Sequence, residues 1–146
     1  MSQSRYAPEF LVGDLAGLWS FRFSGYTVAQ AAPYRLAGLG WMRITPDGGI
    51  AGAQCSAITM LQGQGAKLST NQFDLSGMIK AGLPGFGLAT IHYQPTSGHG
   101  LALDGTFALM PGAGRDQIWM VSQGATVSGS GADADELATI EAVRRQ

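Results

Sequence analysis

Residues 18–24, Leu-Trp-Ser-Phe-Arg-Phe-Ser, decide the fold. Trp19, Phe21 and Phe23 alternate with Ser20 and Arg22. A period of two puts the three rings on one face of an extended chain and the polar residues on the other, which is a strand with one buried side.

Comparable segments follow at short intervals. Tyr34 to Thr45 sets Leu36, Met42 and Ile44 against Arg35, Trp41 and Arg43. Pro46-Asp47-Gly48-Gly49 then turns the chain, because proline presets φ and glycine supplies positive φ. Further strands are expected over Ile50 to Leu61, Ala66 to Ile79, Phe86 to Gln94, Leu101 to Met110 and Gln117 to Gln123, each followed by glycine- or proline-rich turn residues. Tyr26 to Ala32 reads as a polar loop, and Gly124 to Gly131 as a loop or a weak eighth strand. Asp133 to Arg145 reads as a helix: Leu137, Ile140 and Val143 fall at helical spacing, acids precede them, and Arg144 and Arg145 follow. The expected fold is all-β, a seven- to eight-stranded antiparallel up-and-down barrel over roughly residues 15–130 with a C-terminal helix, in one domain.

Composition narrows the function. Charged residues make up 13% of the 146, about half the usual ~25%. A surface so poor in charge suggests cover by a second subunit, so a homodimer or higher homo-oligomer is expected. The net charge is −1 and the arginines are scattered, which argues against nucleic-acid binding. One cysteine, Cys55, excludes an intrachain disulfide, and no Cys/His spacing suggests a metal. No signal peptide and no apolar run of membrane-spanning length is apparent, so a cytoplasmic protein without membrane association is expected. Glycine is abundant, 22 residues, and lies within the apolar runs, as bends and bulges of a coiled sheet require.

Gly17-Leu18-Trp19, at the start of the first strand, resembles the G-x-W signature of lipocalins and the wider calycin group, in which the tryptophan plugs one end of an eight-stranded barrel. The run is also similar to small bacterial barrels of the allene oxide cyclase type, through Gly25-Tyr26, Gly38-Leu39-Gly40, Asp47-Gly48-Gly49-Ile50, Leu75-Ser76-Gly77 and Leu103-Asp104-Gly105-Thr106-Phe107. The likeness implies a barrel with a hydrophobic cavity. It transfers no catalytic residue. The Thr-Asp-Tyr motif of lipocalins is absent, and no late arginine stands out as a partner for the tryptophan.

The candidate chemical groups are few. Asp104 lies directly before Gly105 and Asp74 three residues before Gly77; together they can act as acid and base, or each can bond its own bend. His92, with Thr90 and Gln94 on its face, is a titratable group if that face points inward and a surface histidine otherwise. His99 lies in a turn. Arg22, Arg35 and Arg43 lie in strands, where an arginine binds a carboxylate or covers apolar surface with its stem. Tyr26 and Tyr34 flank the expected first loop, a natural mouth. Trp41 and Trp119 can line a cavity, and Cys55, between Ala53 and Ala57, reads as a buried inert thiol. The candidate catalytic residues are therefore His92, Asp74 and Arg22, and the candidate ligand-binding residues are Arg22, Tyr26, Tyr34, Trp41, His92 and Trp119. No metal or other cofactor is implied.

Three functions fit. The first is the binding of a small hydrophobic molecule in the barrel. The second is a cofactor-free cyclase, isomerase or lyase acting on such a molecule. The third is a structural or assembly protein without a ligand. What lines the interior separates them.

Overall fold

The computed structural model describes residues 10–29, 32–60, 68–97, 101–112, 116–134 and 136–145. A short 3-10 turn, Val12–Leu15, leads into eight strands: β1 (Gly17–Ala29), β2 (Ala32–Ile44), β3 (Gly49–Met60), β4 (Leu68–Ala81), β5 (Gly87–Ser97), β6 (Leu103–Pro111), β7 (Gln117–Val127) and β8 (Glu136–Arg144). Each pairs antiparallel with the next, and β8 pairs back onto β1, so the sheet closes into a barrel without an edge.

Alternation fixes what points inward. On β1 the buried positions are Trp19, Phe21 and Phe23, and on β2 they are Leu36, Met42 and Ile44. Ile79, Ala89, Ile91, Phe107, Leu109, Ile118, Met120 and Ile140 continue the same lining round the barrel. Charged side chains such as Arg22, Asp74 and Lys80 stand in mid-strand on the outside. Apolar side chains such as Leu39, Trp41, Leu88 and Trp119 stand outside beside them, so the outer face is mixed while the inner face is mostly apolar. No helix among the described residues is long and apolar enough to cross a membrane.

Two glycines make room for the rings of β1. A Cβ on Gly38 would lie 2.5 Å from the Phe23 ring, and one on Gly40 would lie 2.6 Å from the Phe21 ring. The glycine abundance thus serves close packing inside the sheet as well as turns.

Three sequence expectations change. The C-terminal helix is absent: Glu136–Arg144 is strand β8, with Ala138, Ile140 and Ala142 buried at alternate positions and Leu137 and Val143 exposed. The segment is rich in helix-forming residues, but β1 and β7 both need a partner, and pairing with both outweighs the local preference. The loop expected at Tyr26 to Ala32 is mostly strand, with Tyr26 opposite Arg35 and Thr27 opposite Tyr34. Gly124 is within β7, where Gln123 forms a bulge between the pairs Thr106–Gly124 and Phe107–Ser122.

Candidate functional site

The two ends of the barrel interior differ. At one end lies Trp19, fully buried, whose indole N–H donates to the Leu15 carbonyl at 2.8 Å. The Arg144 guanidinium stacks over the indole, 4.5 Å from the ring centre. It also donates to the carbonyls of Asp14, at 2.6 Å, and Ala16, and to the Asp116 carboxylate at 3.1 Å. Thus β8 binds the lead-in segment across the barrel's end. Phe10 packs on Gly87, and Ile44, Ile50, Ile79, Leu109 and Ile118 fill the space above.

Toward the far end, where β1, β3, β5 and β7 finish, the inward positions turn polar. Gln54 and Ser56 follow Ile50 and Gly52 on the inward face of β3. Asn71 is buried opposite Ser56. Glu136 begins the inward set of β8, and Tyr93 that of β5 nearest this end. Here the barrel encloses a cavity of about 110 Å³. Phe23, Leu36, Ile58, Phe73 and Leu103 form its apolar wall, and Gln54, Ser56, Tyr93 and Glu136 its polar groups.

Burial pushes the Glu136 carboxyl above the usual carboxylate range. It also pushes the Tyr93 hydroxyl strongly up, with Glu136 adding to the effect, so the phenol stays protonated. The seam beside Glu136 changes from backbone pairing to side-chain bonding. Pairing of β7 with β8 stops at Val121–Thr139. Beyond it, Ser122 bridges the strands: its hydroxyl accepts from the Ala138 N–H at 2.8 Å and donates to the Glu136 carbonyl at 3.3 Å.

The sequence-derived candidates lie mostly outside. Arg22 is exposed on β1 and paired with Glu141 at 2.9 Å. Asp74, Arg35 and Arg43 are exposed on the outer faces of β4 and β2. Trp41 and Trp119 also point outward, each 45% exposed. Trp119 borders an outer groove of about 330 Å³ with Phe86, Met110 and Val121. Tyr26 is exposed beside another outer groove. Tyr34 shares the inward face of β2 with Leu36, one step nearer the far end. Cys55 is exposed rather than buried, because β3 turns Ala51, Ala53, Cys55 and Ala57 outward and Gln54 and Ser56 inward. His99 and Lys67 lie outside the described residues.

His92 and Asp104 do meet, on the outer surface. His92 Nδ1 is 2.7 Å from one Asp104 oxygen, and Ser128 donates to the other at 2.8 Å. The hydrogen bond that His92 donates to Asp104 raises the imidazole pKa above 6.5 and lowers the carboxyl pKa below 3.8. The residue types are those of a nucleophilic triad, but the wiring is not. His92 Nε2 faces Gln94 Oε1 at 3.2 Å, and the serine bonds the aspartate and lies 3.4 Å from the same Nδ1 that meets Asp104, not from Nε2. Among the described residues no third His, Cys, Asp or Glu joins this pair to make a metal-binding group.

Sequence reading missed Glu136, Gln54, Ser56, Tyr93 and Arg144. Gln54 and Ser56 carried a signal: they share the parity of Ile50 and Ile58 in a strand. Glu136 and Arg144 carried none while their segment was read as a helix. No family model, curated protein or solved structure matches this chain.

Proposed function

We propose that the barrel is a binding module that holds one small molecule, apolar in body and polar at one end, in the cavity of its far half. One observation carries the reading: Gln54, Ser56, Tyr93 and Glu136 converge on unfilled space inside an otherwise apolar barrel. Polar groups cost free energy to bury, and a barrel built only to fold would fill this volume with side chains. The opposite end supports the likeness to calycins. Trp19, at the start of the first strand, is covered by Arg144 from the last. The volume, about 110 Å³, is below the ~300–1,000 Å³ of drug-sized sites. It suits a molecule of a few heavy atoms.

The test is native mass spectrometry of the protein purified from its own host. A co-purified small molecule is expected, and it should be lost from a Ser56→Phe variant that fills the cavity. Bare protein from the host, together with no thermal shift from a panel of small alcohols, amines and hydrocarbons, would overturn the reading.

A second reading is catalytic, and the Glu136 carboxyl favours it. Burial biases this group toward its protonated form, in which it can serve as a general acid for an isomerisation or cyclisation. Recovery of the bound molecule unchanged after incubation supports binding alone, and conversion supports catalysis.

A further inference from the structure

The cavity has an electrostatic sign. Three aromatic rings enclose it: Phe23, Phe73 and Tyr93, the last two edge to face with centroids 6.2 Å apart. Aromatic faces carry partial negative charge and attract cations. The side-chain oxygens of Gln54 and Ser56 add acceptors. Glu136 supplies the one carboxyl among the described lining residues, and no hydrogen bond or ion pair engages it among the described side chains. The inward titratable groups around it are Tyr93 on β5 and Tyr34 on β2, and both are phenols. Among the described residues, Arg22, Arg35, Arg43, Lys80 and His92 point outward, and Arg144 occupies the Trp19 end. No cationic side chain stands among the described residues of the cavity lining.

Building on the cavity reading above, we propose that the ligand is a small organic cation, an ammonium group on a compact apolar body, with Glu136 as its counter-ion. The ammonium donates to the Glu136 carboxylate, and the alkyl body lies against Phe23, Leu36, Ile58 and Leu103. A charge-assisted bond then replaces a carboxyl held without a partner.

The experiment compares 3-methylbutylamine with 3-methylbutanol, which has nearly the same shape, by isothermal titration and thermal shift at neutral pH. The amine is expected to bind about tenfold or more tighter than the alcohol, since charge-assisted hydrogen bonds are roughly twice as strong as neutral ones. Glu136→Gln should abolish that preference, so that amine and alcohol bind alike, as expected when the charge is removed. If the alcohol binds as well as the amine in the unaltered protein, the ligand is neutral: the inference falls and the cavity reading stands. If the preference for the amine survives in Glu136→Gln, Glu136 is not the counter-ion. If amine, alcohol and the parent hydrocarbon all fail to bind, the cavity reading falls and takes the inference with it.

Discussion

The two halves of the barrel share one sheet and one alternation of side chains, yet they solve opposite problems. At the Trp19 end every inward position is apolar or is neutralised. Arg144, an inward cation, stacks on the indole and donates to the Asp14 and Ala16 carbonyls and to Asp116. At the far end an inward carboxyl, Glu136, lines the cavity with no such partner among the described side chains, and burial disfavours its charge. One ionisable group thus closes the molecule, while the other lies against a cavity. A side chain's contribution here follows from what meets it, not from its type.

The comparison breaks most visibly at Trp19. Trp19→Ala removes the largest fully buried ring and leaves the Arg144 guanidinium over a void. A loss of about 3–5 kcal/mol is expected, the usual range for truncating a core aromatic. Urea denaturation at neutral pH measures it. A loss below about 1 kcal/mol, the level of surface substitutions, would show that this end does not hold the barrel closed.

Glu136→Gln should act in the opposite direction. The Glu136 carboxyl titrates above its ordinary 4.5 in the folded protein. The folded state therefore holds the proton more tightly than the unfolded chain does. As pH rises above 4.5 the unfolded chain ionises first, so the wild-type protein loses stability until the folded pKa is passed. Glutamine removes that loss. The variant should melt at a higher temperature than wild type at pH 7, and the difference should vanish below about pH 4. A variant less stable than wild type at pH 7 would mean that the carboxyl has a partner and that the far half is not spare. A stabilising change at a group proposed to bind a ligand fits the general conflict between stability and function.

Much of this was legible in the sequence, for physical reasons that also set the limit. Trp19, Phe21 and Phe23 alternate over a segment long enough for its period to be unmistakable, and turns such as Pro46–Gly49 need their particular residues. Seven strands could therefore be read directly. The eighth could not. Ala, Leu, Glu and Arg in 136–144 favour a helix, and only the unpaired flanks of β1 and β7 make the segment a strand. That error hid the two inward ionisable residues of this segment, Glu136 and Arg144. Read as a helix, 136–144 put Glu136 and Arg144 at opposite helix ends, where each had a sufficient role. The outward placement of Arg22, Asp74 and His92 has a different cause. Alternation says which residues share a face, and only closure of the sheet says which face is inside.

The smallest effect separates the cavity carboxyl from the surface one. Asp104 resembles Glu136 in type, but it has His92 and Ser128 as partners and lies outside the barrel. Its pKa is lowered where that of Glu136 is raised. The sign of its linkage is accordingly reversed. Stability from Asp104 is present above pH 3.8 and is lost as pH falls through its folded pKa. Stability from His92, whose pKa is raised, is complete below pH 6.5 and is lost as pH rises through its own folded pKa. The pair therefore contributes most between about pH 4 and 6.5, and weakly, because both side chains are well hydrated. Proton NMR of the imidazole should give a His92 midpoint above 6.5 that falls toward the ordinary value in Asp104→Asn. The melting temperature of that variant should approach that of wild type above the His92 midpoint. A histidine midpoint unmoved by Asp104→Asn would mean that the two groups do not meet in solution, and the contrast between a partnered outer carboxylate and an unpartnered inner one would lose its reference.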